Sequence, residues 1–314
     1  MNDMDNNTMS NRWGIIYVPM AGVKKRARRW HQIKTVLDQR AVQYDYVQSE
    51  DYGSVERLAR MLVDNGYKTI VIVGGDRAVN EALNGIMTSS VENLDDISLA
   101  IIANGVGNDF ASFWGLGDVD DYKKAIDCIL RGNRRRIDIG YCSFQEEDTL
   151  VKRYFLMAVN IGLGARAIEI SDFCKEFWEK SNPTYIISMI RLFVERKLYK
   201  MHFKVNEEVV NEKIMTLCVG NSRGYGMTPS AVPYNGWLDI SVIYRPQFWQ
   251  MVQGLRMLLK GRLLNHQQVR PFRTKKITIF DAQNASICVD GKKLNYSCPL
   301  EITLMPEFLN FIVP

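Results

Sequence analysis

The sequence contains few residues of the kinds that build metal or disulfide frameworks. Its three histidines, His31, His202 and His266, are too scattered to indicate a zinc cluster. Its six cysteines include no C-x-x-C pair, and several lie in apolar runs. We therefore expect reduced cysteines in the core of a cytoplasmic protein. They are Cys128, Cys142, Cys174, Cys218, Cys288 and Cys298.

Long apolar runs are also absent. A helix that spans a bilayer needs roughly 20 consecutive, mostly apolar residues, and no run reaches that length. Residues 1–12 are polar and lack the apolar core of a signal peptide, so we expect them to be disordered. These absences predict a cytoplasmic protein whose contact with a membrane would be peripheral, at the inner face.

The charge balance favours some classes of binding partner but excludes few of them. The chain has 40 basic and 35 acidic residues, which gives a net charge of +5. This mild excess suits an anionic small molecule or an anionic membrane surface and does not require nucleic acid, which we do not expect as a partner. With 314 residues, of which 46% are hydrophobic, the chain is long enough for two globular domains.

Apolar strands alternate with helical patterns over the first 130 residues. This alternation predicts a parallel sheet with helices on both faces. A basic cluster, Lys24, Lys25, Arg26, Arg28 and Arg29, opens the first helix and is predicted to be mostly solvated, although one or two members could face a nucleotide or an anionic bilayer. The predicted elements are strands 13–18, 44–47, 69–73 and 97–102 and helices 24–40, 54–65, 78–87 and 119–130, with Gly66 and Gly132 as helix stops.

Two turns follow buried strands and carry glycine with polar side chains. The first is Gly74-Gly75-Asp76, and the second runs from Ala103 to Ala111. Both would lie at the carboxyl edge of the sheet, where backbone N–H groups and helix N-termini can hold a phosphate. Asp76 could cap a helix or help to hold a metal. Asn108 and Asp109 could equally be turn-formers, and Glu81 could be part of a solvated helix face.

The pattern changes near residue 136, after which strands dominate. We predict a β-rich second domain, a sandwich or open barrel, with strands that include 154–160 and 300–304 and with helical stretches at 168–196 and 247–263. An apolar stripe in the first stretch (Ile186, Met189, Ile190 and Phe193) is interpreted as core packing, with a lipid-entry surface as the alternative. The arginines at the boundary favour a solvated linker over an electropositive rim. They are Arg131, Arg134, Arg135 and Arg136.

The two turns, together with later motifs, resemble the diacylglycerol kinase catalytic-domain family, which includes bacterial lipid kinases and sphingosine kinases. The family's GGDGT-x-N-E-x-x-NG signature corresponds to residues 74–85, and its P-x-GT-x-NDFAR turn to residues 103–112. Further matches are Val18-Pro19 with Gly22, Ile137-Asp138-Ile139-Gly140, the segment from Gly224 to Asp239, and Asp290-Gly291-Lys292. These elements occur in the family's order from Gly14 to the chain end.

The resemblance implies a Rossmann-like nucleotide-binding domain over residues 1–140, to which residues 305–314 return, and a β-sandwich lipid-substrate domain over 141–304. It implies ATP and Mg²⁺ in a cleft between the domains, with a lipid hydroxyl as the acceptor, and it leaves a homodimer open. Asp76 and Asp290 would be catalytic. The implied nucleotide-binding residues are Gly74, Gly75, Asp76, Arg77, Ala78, Val79, Asn80, Gly105, Val106 and Asn108.

Several positions depart from the family pattern. Arg77 replaces a glycine, at a cost of roughly 1–2 kcal/mol if φ is positive there, and its side chain could fill the phosphate space or bind phosphate itself. Ala78 and Val106 replace threonines, each removing a hydrogen bond worth roughly 1 kcal/mol. Lys292 replaces the glutamate beside the expected base, Asp290, and is protonated at pH 7.

The implied metal site is altered as well. Asn235 replaces an aspartate near a Mg²⁺ site that would also use Val232 and Trp237, both of which could offer only backbone oxygens. An asparagine retains an oxygen ligand but loses the charge that a hard cation prefers.

Two functions are therefore compatible with the sequence. One is an ATP-dependent kinase of diacylglycerol- or sphingoid-type lipids. The other is a catalytically impaired member that binds nucleotide or lipid in a regulatory or scaffold role. An unrelated dinucleotide-binding oxidoreductase is disfavoured, because the first strand–helix turn lacks the G-x-G-x-x-G motif.

Overall fold

The computed structural model describes residues 12–19, 24–51, 53–105, 108–168, 196–223 and 226–314, without the side chains of residues 24–27. The chain forms two compact units. Unit 1 comprises Met1–Ile137 and Glu307–Pro314, and unit 2 comprises Asp138–Pro306.

Unit 1 is built on a parallel sheet. Its strand order is β2-β1-β3-β4-β16, and every neighbouring pair is parallel. Strands β1, β3 and β4 are buried on both faces apart from Thr69, as expected for isoleucine- and valine-rich strands covered by helices. The bounds are β1 Trp13–Tyr17, β2 Tyr44–Gln48, β3 Thr69–Gly74, β4 Ser98–Ala103 and β16 Leu300–Ile312, of which Asn310 and Phe311 pair with β4.

The described helices of unit 1 follow the strands in the predicted order. They are α1 Lys24–Gln39, α2 Ser54–Asp64, α3 Asp76–Met87, α4 Asp109–Phe113 and α5 Tyr122–Arg131. Gly66 and Gly132 have positive φ (89° and 68°), so the predicted helix stops are confirmed. Helix α4 was not predicted, because five residues are too few to show a helical period. Helix α5 was predicted to begin at Val119, but it begins at Tyr122.

Unit 2 is a β-sandwich. One antiparallel sheet has the order β12-β11-β10-β7-β14-β15. The other strands also pair antiparallel, and apolar residues such as Phe155, Val159, Phe203, Leu217 and Ile279 form a common core. The bounds are β5 Arg134–Glu146, β6 Thr149–Phe155, β7 Ala158–Gly162, β8 Tyr199–Val205, β9 Glu208–Ile214, β10 Thr216–Gly220, β11 Leu238–Ile243, β12 Val269–Thr274, β13 Lys276–Asp281, β14 Ile287–Val289 and β15 Lys292–Leu294, with helix α6 Phe248–Leu259 and a 3₁₀ helix Leu263–Asn265.

The arginines at the domain boundary were predicted to form a solvated linker, and the linker prediction is wrong for Arg134, Arg135 and Arg136. Arg134–Arg136 begin strand β5 with exposed side chains. The Arg136 guanidinium donates to the Glu307 carbonyl at 2.7 Å and pairs with Asp95 at 2.8 Å, both within unit 1. This arginine therefore holds the start of β5 in place, a contact between residues 171 positions apart in the chain that composition alone could not reveal.

Several strand boundaries also differ from expectation. The predicted strand 154–160 is the end of β6 and most of β7, which lie in different sheets and are separated by Leu156 and Met157. The prediction missed this break because neither residue is a glycine or a proline. The predicted strand 300–304 and most of the returning segment 305–314 form a single strand, β16, with positive φ at Glu307. The predicted helix 168–196, with its apolar stripe, lies almost entirely outside the described residues.

The expectation of core cysteines is wrong for one residue. Cys128, Cys142, Cys218 and Cys288 are buried, whereas Cys298 is exposed. Burial raises the pKa of the Cys218 thiol to about 12, so this thiol stays protonated at neutral pH. Cys174 lies outside the described residues.

Candidate functional site

The two glycine turns of unit 1 are in backbone contact. A Cβ atom at Gly105 would lie 2.5 Å from the Gly75 Cα, and one at Gly75 would lie 3.0 Å from the Gly105 Cα. Asn104 N donates to the Gly74 carbonyl at 2.8 Å, which continues the pairing of β3 with β4 into the turns. Only glycine at both positions permits this approach.

Asp76 links the two turns through its side chain. Its carboxylate accepts hydrogen bonds from the backbone N–H groups of Asp109 (2.8 Å) and Phe110 (3.0 Å). The carboxylate therefore caps helix α4, while Asp76 itself is the first residue of helix α3. Of the two predicted roles, the cap is the one whose contacts are visible, and it is made to a different helix from the one that Asp76 begins.

Asn108 is the organiser of the second turn. It is buried and has left-handed backbone (φ 52°), and its Oδ1 accepts from Gly105 N at 2.9 Å. Its Nδ2 donates to the carbonyls of Gly105 (3.2 Å) and Gly117 (3.3 Å). These contacts are those of a turn-former, and they hold the Gly105 backbone against the first turn.

A buried cation approaches the second turn. Arg29 of α1 is only 6% exposed, and its Nη1 donates to Asn104 Oδ1 at 3.3 Å. Its Nη2 pairs at 2.8 Å with Asp120, whose side chain is 73% exposed. The Asn104 Nδ2 is buried with no acceptor in the described part of the chain, and such a donor is one that a bound anion or water can satisfy. Arg29 is therefore a member of the basic cluster that is not solvated, which the prediction allowed for one or two of its residues.

Arg77 and Glu81 form a pair on helix α3. The Arg77 Nε lies 3.5 Å from Glu81 Oε1, one helical turn away. Arg77 has ordinary helical backbone, so the penalty for replacing a glycine of positive φ does not apply. Glu81 is 2% exposed and accepts from Gly53 N at 3.0 Å, which ties α3 to the start of α2. The solvated face predicted for Glu81 is wrong.

The remaining predicted nucleotide residues continue helix α3. Ala78 packs against Gly74, where an added Cβ would lie 3.0 Å from the alanine Cβ. Val79 N donates to the Gly75 carbonyl at 3.2 Å, and Asn80 is buried and accepts from Asn84 Nδ2. Val106 lies outside the described residues.

Asp290 is held inside unit 2 by backbone donors. It is 2% exposed, and its carboxylate accepts from the N–H groups of Leu156 (2.7 Å), Met157 (3.0 Å) and Ala158 (2.8 Å). Asp290 and Gly291 both have positive φ (45° and 86°) and join β14 to β15 in a two-residue hairpin. Lys292, the first residue of β15, is half-buried and pairs in register with Val289.

The loop that carries the predicted metal ligands is organised from within unit 2. Asn235 Oδ1 accepts from Trp237 N at 2.9 Å, and the Val232 carbonyl accepts from Tyr234 N at 2.8 Å. The buried Asp138 accepts from Gly236 N at 2.7 Å, so the aspartate of the Ile137–Gly140 motif positions this loop.

These contacts use the Asn235 side-chain oxygen and the Val232 carbonyl, two of the three oxygens that the prediction assigned to Mg²⁺. The described residues contain no group of three or more histidine, cysteine, aspartate or glutamate side chains that could hold a metal. The loop therefore fits Mg²⁺ poorly, because a hard cation prefers carboxylate ligands.

The arrangement in unit 1 can bind an anion. The N-terminus of the 12-residue helix α3 follows the Gly74-Gly75 turn, and its first N–H groups have no acceptor within the helix. A phosphate group at this helix end would meet favourable N–H donors and the positive end of the helix dipole. Sequence reasoning missed Arg29 and Asn104 as neighbours of these turns, and the only signal was the basic cluster to which Arg29 belongs.

Comparison with known families agrees with this architecture. The fold and the double turn are those of a lipid kinase-like family. The family model for the diacylglycerol kinase catalytic domain matches residues 12–142, and that for the YegS C-terminal NAD kinase beta sandwich-like domain matches residues 157–313. The chain belongs to the diacylglycerol kinase catalytic-domain family, which confirms the resemblance and the predicted fold class.

The relatives are distant but match along most of their length. The chain is 25% identical over 305 residues to a diacylglycerol kinase of Mycobacterium tuberculosis (strain CDC 1551 / Oshkosh), covering 94% of this chain and 93% of the relative. It is 22% identical over 290 residues to a diacylglycerol kinase of Staphylococcus saprophyticus, covering 90% of each.

Solved structures show the same fold. A diacylglycerol kinase from Bacillus anthracis str. Sterne superposes with a TM-score of 0.68 at 16% identity, over 97% of each chain. Yeast NADH kinase complexed with NADH superposes with a TM-score of 0.54 at 10% identity, over 96% of this chain and 84% of that chain. Within the described residues, no helix is long and apolar enough to cross a bilayer.

Proposed function

We propose that this protein is an ATP-dependent lipid kinase that transfers the γ-phosphoryl group to the hydroxyl of a diacylglycerol- or sphingoid-type lipid. The observation that carries the proposal is the double turn of unit 1, in which Gly75 and Gly105 touch and Asp76 caps α4. Two adjoining glycines, which carry no side chains, thus lie next to the N-terminus of α3, and a polyphosphate needs such a turn for close backbone contact. Family membership supports the same conclusion.

In the proposed reaction, residues of both units have a role. The lipid hydroxyl oxygen forms a bond to the γ-phosphorus, the bond from phosphorus to the ADP oxygen breaks, and the hydroxyl loses its proton to a base. The turns of unit 1 would bind and orient the phosphates. Asp290 is the family position for the base, although its carboxylate already accepts three backbone hydrogen bonds. Mg²⁺ would enter with the nucleotide phosphates, because the loop at 232–237 fits it poorly.

The partners follow from this assignment. They are ATP, a lipid substrate and a peripheral, anionic membrane surface at the cytoplasmic face, with no role for nucleic acid. A homodimer also belongs to the proposal, and sedimentation velocity would detect it.

Two measurements test the proposal. Titration with ATP and Mg²⁺ should raise the melting temperature progressively, because a ligand that binds only the folded state stabilises it by mass action. Transfer of labelled phosphate to a panel of diacylglycerols and sphingoid bases should then give turnover. No turnover with any lipid at high enzyme concentration would refute the kinase assignment.

A second candidate function is that of a catalytically impaired member that binds nucleotide or lipid in a regulatory or scaffold role. The Arg77–Glu81 pair favours it, because an arginine stands at a glycine position of the phosphate turn and its side chain is 32% exposed. The triple variant Arg77→Gly/Ala78→Thr/Lys292→Glu restores the family residues. It should raise ATP affinity and turnover if these positions limit the activity. Unchanged affinity and activity would show that these substitutions do not decide the outcome.

A further inference from the structure

Helix α6 of unit 2 has two apolar faces, and among the described residues only one of them packs into the protein interior. Met251 is buried and Leu258 packs beside it in a small apolar cluster. A second stripe, Phe248, Val252, Leu255 and Leu259, follows the helix at i, i+4, i+7 and i+11.

Three of the four residues in the second stripe face solvent, and Val252 is half-buried. Phe248 is 46% exposed, Leu255 41% and Leu259 80%, and the neighbouring Trp249 is 77% exposed. A row of large apolar side chains along one helix face marks an interaction surface, whereas single exposed apolar residues do not.

The surroundings of this stripe carry charge of one sign. Residues 240–280 contain no aspartate or glutamate, and all of their lysine and arginine side chains are exposed. Three of these cations have carboxylate partners outside the segment: Arg270 pairs with Glu208, Arg273 with Asp239 and Lys276 with Glu301. The others have none among the residues that the structure describes; they are Arg245, Arg256, Lys260, Arg262 and Lys275.

Two of these cations lie beside the apolar stripe. At 100° per residue, Arg256 and Lys260 project within about a quarter-turn to a third of a turn of it, on the same side as Trp249. The helix therefore presents an apolar strip about 18 Å long, with tryptophan and cations along one border. Aromatic and aliphatic side chains bordered by lysine and arginine form the pattern of a helix that lies flat in the interface of an anionic bilayer.

We propose that α6 is an interfacial helix that docks the protein on a bilayer carrying anionic phospholipid. Phe248, Trp249, Leu255 and Leu259 enter the headgroup region, and Arg256, Lys260 and Arg262 contact lipid phosphates. This inference rests on the proposed function in one respect only: it names the surface at which a lipid kinase would meet its membrane. Vesicle binding is measured without ATP, so it is independent of catalysis.

The test uses flotation with vesicles of equal parts phosphatidylglycerol and phosphatidylcholine, and with phosphatidylcholine alone. The wild-type chain should bind the anionic vesicles and lose most binding in high salt. Trp249→Gln/Leu259→Gln and Arg256→Gln/Lys260→Gln should each weaken binding by roughly tenfold or more. Matched controls are Leu150→Gln/Val209→Gln, at side chains 62% and 57% exposed, and Lys200→Gln/Lys213→Gln. Both controls should bind as the wild type does.

A second measurement reports on the helix directly. Brominated lipids quench tryptophan that enters the acyl boundary, so vesicle binding should quench part of the wild-type fluorescence. The Trp249→Phe variant should still bind but lose that quenching. Circular dichroism should show that every variant is folded, because all substituted side chains are exposed.

The inference is overturned if both α6 variants bind vesicles as tightly as their controls. It is also overturned if a single-stranded oligonucleotide binds as tightly as anionic vesicles and competes with them, since the face would then recognise polyanions. A third contrary result is that Trp249→Gln/Leu259→Gln converts a dimer to a monomer while leaving vesicle binding intact. Failure of the kinase proposal would look different: vesicle binding would persist while a monomeric short-chain lipid was not phosphorylated.

Discussion

Replacing Asp290 by asparagine separates a structural role from a chemical one. The turn itself should tolerate the change, because asparagine–glycine is a preferred pair for a two-residue hairpin with positive φ at both positions. The loss comes from the carboxylate. An amide can present one oxygen to the donors, so at least one of the buried N–H groups of Leu156, Met157 and Ala158 then faces an NH₂ group.

The magnitude follows from these contacts. One buried donor left without an acceptor costs about 1–3 kcal/mol, and converting two charge-assisted hydrogen bonds to neutral ones costs about 1 kcal/mol each. We therefore expect Asp290→Asn to lower the free energy of unfolding by about 3–5 kcal/mol. Asp148→Asn, at an exposed turn residue of the same unit, is the control and should change it by less than about 0.5 kcal/mol.

The assay is urea denaturation followed by circular dichroism, with lipid phosphorylation measured on the same samples. If Asp290 acts mainly through the backbone of residues 156–158, stability falls together with activity. An unchanged free energy of unfolding, combined with lost turnover, would refute the structural account and make Asp290 a chemical participant only.

Other consequences can be tested in the same way. Gly105→Ala should destabilise the protein by about 1–3 kcal/mol and remove the ATP-induced thermal shift, since the added Cβ meets backbone, whereas Gly254→Ala, with no neighbour within 3.8 Å, should not destabilise it. Burial and a hydrogen bond to a carboxylate raise the pKa of Tyr67 to about 12, so the folded state retains a proton that the unfolded state loses near pH 10. Unfolding free energy should therefore fall between pH 10 and 12, less steeply in Tyr67→Phe; equal slopes would contradict this. With a thiol reagent and no denaturant, Cys298→Ser should remove one reactive group and Cys218→Ser none.

The features that the sequence predicted well are local ones. The runs before Gly74 and Asn104 are apolar after their first residues, Thr69 and Ser98, so buried parallel strands followed from side-chain type and length alone. The glycine turns were also recognisable from local sequence, because glycine at the end of an apolar run interrupts both the strand period and the helix period. Because the later motifs occur in the same order as in the family, the resemblance then covered nearly the whole chain.

The roles of individual site residues depended on distant partners. Asp76 reaches N–H groups 33 and 34 positions later in the chain, and Asp290 reaches N–H groups more than 130 positions earlier. Glu81 was predicted to be solvated because its own helix carries no sign that Gly53 lies beside it. Arg29 is similar: a basic cluster shows charge, but not which of its members the fold buries.

The amino-acid sequence by itself thus determined the secondary structure of the core, the position of both turns and the substitutions within them, since each is written in contiguous residues. Tertiary structure alone decided that Gly75 and Gly105 touch, that Asp76 and Asp290 accept backbone hydrogen bonds, and that α6 leaves one apolar face exposed. The physical reason is that burial and hydrogen-bond partnership are properties of pairs of segments. Their distance is set by the packing of the whole unit rather than by either segment.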